Sequence, residues 1–157
     1  MEKLTRIASF SVNHDLLSEG IYVSRIDGDV VTYDLRTRIP NGGDYMTNIA
    51  MHSVEHMFAT YIRNGAIGDR VIYFGPMGCR TGFYLLVRSA ENEEVLVAVI
   101  DCLRRIIDHK GEIFGKSRVE CGNYLELDLS EAKRECERYL SALLAREQDF
   151  KYREANE

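Results

Sequence analysis

The sequence predicts an α+β fold in which an antiparallel β-sheet packs against helices, and three observations carry that expectation. Two pairs of short β-rich runs are each separated by turn residues, which is the pattern of hairpins. Three further stretches place apolar residues at helical spacings. Strands and helices do not alternate regularly, so a parallel βαβ sheet is not expected. The 157 residues, 45% hydrophobic and 29% charged, have the size and balance of a single domain spanning 1–157. No Pro/Ser-rich linker, low-complexity tract or internal repeat divides it.

Residues 20–38 hold the runs GIYVSRI and VVTYDLRTR, divided by Asp27-Gly28, which tolerate the positive φ of a tight turn. Pro40-Asn41-Gly42-Gly43 then ends regular structure. Asp44 or Thr47 can cap a helix with apolar positions Ile49, Met57, Phe58, Tyr61 and Ile62, and Gly65 is its expected stop. A second strand pair, VIYF and GFYLLVR, is interrupted by Gly75-Pro76-Met77-Gly78-Cys79, which puts Cys79 in a bend. A second helix is expected over 92–108 on Val95, Val99, Leu103, Ile106 and Ile107, ended by His109-Lys110-Gly111. The third is expected over 128–146. Asp128 and Glu131 are spaced as a capping box there, with Leu140, Leu143 and Leu144 on the inner stripe. The charge-rich C-terminal EQDFKYREANE is expected to extend this helix or fray, with no function assigned.

A net charge of −5 provides no positive field for phosphate backbones or an anionic bilayer, so neither nucleic acid nor membrane is an expected partner. The longest apolar run, 95–100, is far short of the ~18 residues of a membrane span, and the N-terminus lacks the apolar core of a signal peptide. The expected location is cytoplasmic. In that reducing compartment Cys79, Cys102, Cys121 and Cys136 read as thiols, metal ligands or catalytic groups rather than disulfides. Cys102 and Cys136 fall among apolar helix positions and are expected to act as small buried hydrophobes. Cys79 and Cys121 stand instead in glycine-bearing bends, where functional groups are commonly displayed.

The densest chemical signal is His52-Ser53-Val54-Glu55-His56 in the first helix. Residues four apart share a helix face, so the two imidazoles can converge on one ion, with Glu55 beside them to move protons. A catalytic site takes a third protein ligand. Spacing leaves it open among Cys79, Cys121, His14, His109 and several carboxylates.

The strings MHSVEH (51–56), GPMGCRTGFY (75–84), DLRTRIPN (34–41) and ECGNY (120–124) resemble, in order and spacing, the S-ribosylhomocysteine lyase (LuxS) family. The resemblance runs over nearly the whole chain. It implies a LuxS/metallohydrolase-like fold and a substrate, S-ribosylhomocysteine, whose sugar carbonyl migrates before homocysteine is eliminated. The co-product would be 4,5-dihydroxy-2,3-pentanedione, the autoinducer-2 precursor of quorum sensing, with homocysteine returning to the methyl cycle. His52, His56 and Cys121 would hold one divalent metal per subunit, natively Fe(2+), with Zn(2+) or Co(2+) able to occupy the site. Glu55 and Cys79 would be the acid/base pair, and Ser9, His14 and Arg36 would line the substrate pocket. The resemblance also implies a homodimer with active sites at the interface, each built from both chains. Two positions depart from the pattern: Tyr73 stands where many members have aspartate, and Arg38 where some have cysteine.

Two other readings follow from the residues alone. One is a hydrolase of the inverted zinc peptidase type, with Glu55 activating a metal-bound water. The other is a closed structural site of His52, His56, Cys79 and Cys121 in a non-enzymatic module. For Arg36, the plain alternative is pairing with an acidic neighbour on its hairpin.

Overall fold

A computed structural model describes residues 2–154. Four strands, β1 (Gly20–Asp27), β2 (Val30–Arg36), β3 (Val71–Pro76) and β4 (Gly82–Arg88), form one antiparallel sheet in the order β1-β2-β4-β3. Three helices, α1 (Asn48–Arg63), α2 (Asn92–Ile107) and α3 (Leu129–Leu144), pack with it, as the α+β expectation requires. The β1/β2 loop is Gly28-Asp29, since Asp27 still pairs with Val30, and Gly28 takes φ +62° at the loop's first position. β3 runs two residues beyond VIYF, because Gly75 and Pro76 still pair with Tyr84 and Phe83. The positive φ of the following turn belongs to Arg80, at +63°, and not to either glycine.

The sheet is sorted by the two-residue period of a strand. Tyr33 and Leu35 of β2 join Ile21, Phe83, Leu85 and Val87 in the core against Val54, Met57 and Phe58 of α1. Stacked rings of Phe58, Phe74 and Phe83 tie α1 to β3 and β4, with centroids 4.3 and 5.0 Å apart. Asp34 and Arg36, between and beyond the inward positions of β2, carry the chemistry of the other face.

Thr47 caps α1, its hydroxyl accepting from the Ala50 amide. Asp44 instead bridges Arg38 and Arg138. In α2, Glu93 and Glu94 sit in the first turn and Arg104 and Arg105 in the last, which complements the helix dipole. Asp128 caps α3 by accepting from the amides of Ser130 and Glu131. The Asp128 amide donates 2.8 Å to the Ser53 hydroxyl of α1, the place a reciprocal Glu131 would have taken in a capping box. The inner stripe of α3 is Ala132, Cys136, Tyr139 and Leu143; Leu144, one residue further round the helix, is 56% exposed.

The C-terminal segment neither extends α3 nor frays over its described part. Phe150 is buried, and its carbonyl accepts from the Val23 amide of β1 at 2.9 Å. Gln148 accepts from the Ile21 amide. Residues 155–157 of that stretch lie outside the described residues.

Ser53 is fully buried between the two histidines and holds the start of α3 on α1. Ser53→Ala leaves the Asp128 amide without its partner and should lower unfolding free energy by about 1–2 kcal/mol. Urea denaturation should show this as a lower midpoint with an unchanged slope.

Candidate metal centre and the Cys79 pocket

One face of α1 is spent on the core, which leaves His52, Glu55 and His56 half-buried at its margin. The imidazoles lie with centroids 4.7 Å apart and planes at 89°. Each has its Nδ1 fixed by a backbone carbonyl, His52 by Glu126 at 2.9 Å and His56 by Phe114 at 2.8 Å. A carbonyl only accepts, so both Nδ1 atoms carry the proton and both Nε2 lone pairs are free to ligate. The third group is Cys121, from the connection between α2 and α3. Ligand atoms of His52, His56 and Cys121 all lie within 4.8 Å of one another. The Cys121 sulfur is 3.4 Å from His52 Nε2, close to the ~3.5 Å expected between S and N ligands of a tetrahedral ion. Two imidazoles and a thiol are thus arranged as a donor set able to hold a divalent metal.

The connection supplying Cys121 is fitted around His56. Gly115 has φ +69°, and a Cβ there would lie 2.9 Å from His56 Nδ1, so the position excludes side chains twice over. His109, a candidate ligand by sequence, braces this segment: its ring meets the Tyr61 hydroxyl at 2.7 Å and the Glu112 carbonyl at 2.8 Å.

Cys79 does not join the metal group. It is exposed in the β3/β4 turn, 3.0 Å from the Thr81 hydroxyl, so the structure does not form the closed four-ligand site. Its surroundings are a cavity of about 530 Å³ that Ser9, His14 and Arg36 also line, with Asp34, Tyr84 and Tyr152. Ser9 and His14 enter from short 3-10 turns before β1. A separate cavity of about 510 Å³ beside the metal group is lined by Arg118, Cys121 and residues 122–125.

Arg36 is buried and does pair with an acidic neighbour: its Nε and one terminal nitrogen donate to both Asp34 oxygens, at 3.1 and 2.6 Å. The other terminal nitrogen donates 2.8 Å to Thr81 Oγ1. Burial alone would lower the guanidinium's pKa, but the Asp34 carboxylate more than offsets this and raises it, so the charge persists inside the fold. Burial pushes the Cys102 and Cys136 thiols well above their ordinary range, leaving them inert apolar fillers.

Asp34, Thr81, Tyr84 and Tyr152 were not among the sequence-predicted site residues. Asp34 had a signal, since a carboxylate two residues before Arg36 on a strand must share its face. Tyr152 had none, because only the course of the C-terminal segment brings it here.

A sequence profile described as S-ribosylhomocysteinase (LuxS) matches residues 7–150. Among curated relatives, a protein named S-ribosylhomocysteine lyase from Clostridium acetobutylicum is 44% identical over 80% of this chain and 84% of its own. One of the same name from Finegoldia magna is 43% identical, covering 89% and 92%. Another, from Borreliella afzelii, is 40% identical, covering 95% and 99%. The match spans the helix carrying His52, Glu55 and His56, the turn carrying Cys79 and the segment carrying Cys121, and the chain belongs to the S-ribosylhomocysteinase (LuxS) family.

Proposed function

We propose that the protein is an S-ribosylhomocysteine lyase, a carbon–sulfur lyase that releases homocysteine and 4,5-dihydroxy-2,3-pentanedione, the precursor of autoinducer-2. The observation that carries this is the convergence of His52, His56 and Cys121 within 4.8 Å in a chain of this family. These three residues would hold the metal, natively Fe(2+), with Zn(2+) or Co(2+) compatible with the same two imidazoles and thiolate. When bound, the ion supplies Lewis-acid stabilisation of negative charge developing on sugar oxygens.

Glu55, one helical turn from His52, and Cys79 take and return protons at neighbouring ribose carbons, moving the carbonyl from C1 through C2 to C3. Removal of the C4 proton then expels the homocysteine thiolate from C5, with no change in oxidation state of the ion. Arg36 donates to Thr81, whose hydroxyl meets the Cys79 sulfur, which fixes the place of that sulfur in the cavity. Ser9 and His14 line the same cavity and hold the substrate's polar groups.

The working unit we propose is a homodimer in the cytoplasm, with each active site assembled from both chains. Supporting this, the metal group and the Cys79 group line different cavities of one chain. Each is flanked by exposed apolar side chains, Ile7 and Phe10 near Cys79 and Val119 and Leu125 near Cys121. Among the described residues, no helix is long and apolar enough to cross a membrane.

Homocysteine release from S-ribosylhomocysteine, followed by a free-thiol assay on anaerobically prepared protein, tests the assignment. Glu55→Gln and Cys79→Ala should keep their metal and lose turnover by at least about 100-fold, whereas Cys121→Ala should lose the metal itself. A metal-replete parent that releases no thiol would end the lyase reading. Mixing the inactive Glu55→Gln and Cys79→Ala proteins should restore activity if sites are shared, up to about a quarter of the parent value when subunits redistribute at random. Gly115→Ala, which crowds the ring of His56, should weaken zinc binding by about 10–100-fold in a competition titration with a chromogenic chelator.

A further inference from the structure

We propose that Tyr152, delivered by the C-terminal segment, is a positioning residue for Cys79, acting through Asp34, Arg36 and Thr81. The assignment of a proton-transfer task to Cys79 rests on the lyase reading; the geometry of the chain of contacts does not. Tyr152 lies half-buried in the wall of the Cys79 cavity, its ring stacked on Tyr22 at 5.2 Å and 19°. Its hydroxyl is 2.7 Å from Asp34 Oδ2, the oxygen that also receives the 2.6 Å bond from Arg36.

The directions of these bonds are set by what each group can do. An ionised carboxylate only accepts, so the Tyr152 hydroxyl donates to Asp34. Burial, and then the Asp34 charge, raise the phenol well above its ordinary range, which keeps it a neutral donor. Arg36 has no acceptor, so Thr81 Oγ1 must accept its 2.8 Å bond. That leaves the single Thr81 proton to point at the Cys79 sulfur, 3.0 Å away, whenever the sulfur is ionised. Tyr152 thus donates at one end of a row of polar contacts and Thr81 donates at the other, with the buried Asp34–Arg36 pair between them.

Tyr152 matters because Asp34 has to hold the planar guanidinium in one orientation. Nε and one terminal nitrogen of Arg36 both go to Asp34, and only then does the second terminal nitrogen face Thr81. The Tyr152 hydroxyl gives the carboxylate a donor from outside its own strand, on the oxygen that Arg36 also holds. The segment bearing it is pinned independently, by the Phe150 carbonyl on the Val23 amide and by Gln148 on the Ile21 amide. Removing the hydroxyl therefore need not displace the segment.

Two readouts on Tyr152→Phe and Tyr152→Ala test this. The first is the rate of Cys79 alkylation by iodoacetamide on zinc-loaded protein without substrate, followed by peptide mass spectrometry. The second is kcat and KM for S-ribosylhomocysteine. Both variants should slow alkylation about fivefold and lower kcat about tenfold, with KM within about twofold of the parent, since one hydrogen bond to a charged group is lost in each. In a Thr81→Val background the Tyr152→Phe effect on alkylation should disappear, because the row is already broken. Alkylation that stays at the parent rate in Tyr152→Phe overturns the proposal, including the case in which Tyr152→Ala alone is slow and only ring packing matters. Slowed alkylation in both variants, beside a parent that releases no homocysteine, would retain the positioning role and remove the lyase reading. Unchanged alkylation beside an active parent would do the reverse.

Discussion

Two neutral imidazoles can serve one ion only when each is held in a single tautomer, and here the backbone of an otherwise irregular connection does the holding. Residues 108–128, between α2 and α3, contain no helix or strand. Their order comes from α1. His56 and His52 take the carbonyls of Phe114 and Glu126, Ser53 takes the Asp128 amide, and the Phe114 amide meets the Met57 sulfur. Buried Ile113 and Leu127 add the apolar part of the seam. The relation is reciprocal: α1 shapes the connection, and the connection fixes the tautomers of α1 and returns Cys121 to face them. Internal turns, such as the Ser117 carbonyl on the Cys121 amide, order the connection only locally, and its contacts with α1 set its path, so the ligand geometry and the path of the chain stand or fall together.

The outer face of the sheet poses a different problem. Asp34 and Arg36 are almost fully buried, and a buried ion pair recovers its desolvation cost only when nearly every donor and acceptor is used. Bidentate contact, the Thr81 hydroxyl and the Tyr152 hydroxyl meet that demand. Such a pair is poor value as a source of stability, since apolar residues of the same size would serve as well. It makes sense as a means of holding a cation at fixed distance from a sulfur. Arg38 makes a useful contrast, because it too is buried and bonded to carboxylates, Glu135 and Asp44, yet these tie β2's exit to α3 and to the approach to α1.

Local pattern made the hairpins and helices legible because their signals lie within a few residues. The apolar stripe of α2, that of α1 over Met57, Phe58 and Ile62, the Thr47 cap and the Asp128 cap are all short-range statements, whereas Ile49, expected on the α1 stripe, is exposed because Ala50, Ser53 and Val54 take the inner face there. Errors fell where a neighbour in space decided the outcome. Leu144 looked like a stripe residue, but α3 is rotated so that Cys136 and Tyr139 face the core. Gly75 looked like turn, but β4 pairs with it and keeps it strand. Within the site, His52 and His56 declared themselves by spacing along one helix. Cys121 could not be chosen over Cys79 or His109 by spacing, because the choice depends on a loop whose path is written in contacts to α1. Asp34 and Thr81 lie two residues from Arg36 and Cys79, within reach of strand and turn periodicity, whereas Tyr152 sits 118 positions from its partner Asp34.

The C-terminal segment shows how one stretch of chain can answer a structural need and a chemical one together. β1 is an edge strand, and an uncovered edge presents unpaired amides to any other strand. Phe150 and Gln148 satisfy the amides of Val23 and Ile21, and the Phe150 ring is buried beside Tyr33. The other edge, β3, is treated more simply, with the Arg63 guanidinium on the carbonyls of Val71 and Ile72. Alternation alone would put residues 150 and 152 on one face. The positive φ of +63° at Phe150 breaks that pattern: the Phe150 ring turns in beside Tyr33, and Tyr152 stacks on Tyr22 and reaches Asp34. Covering the edge therefore brings an aromatic hydroxyl to the buried Asp34 carboxylate, which, shut off from water, needs a further donor beside Arg36.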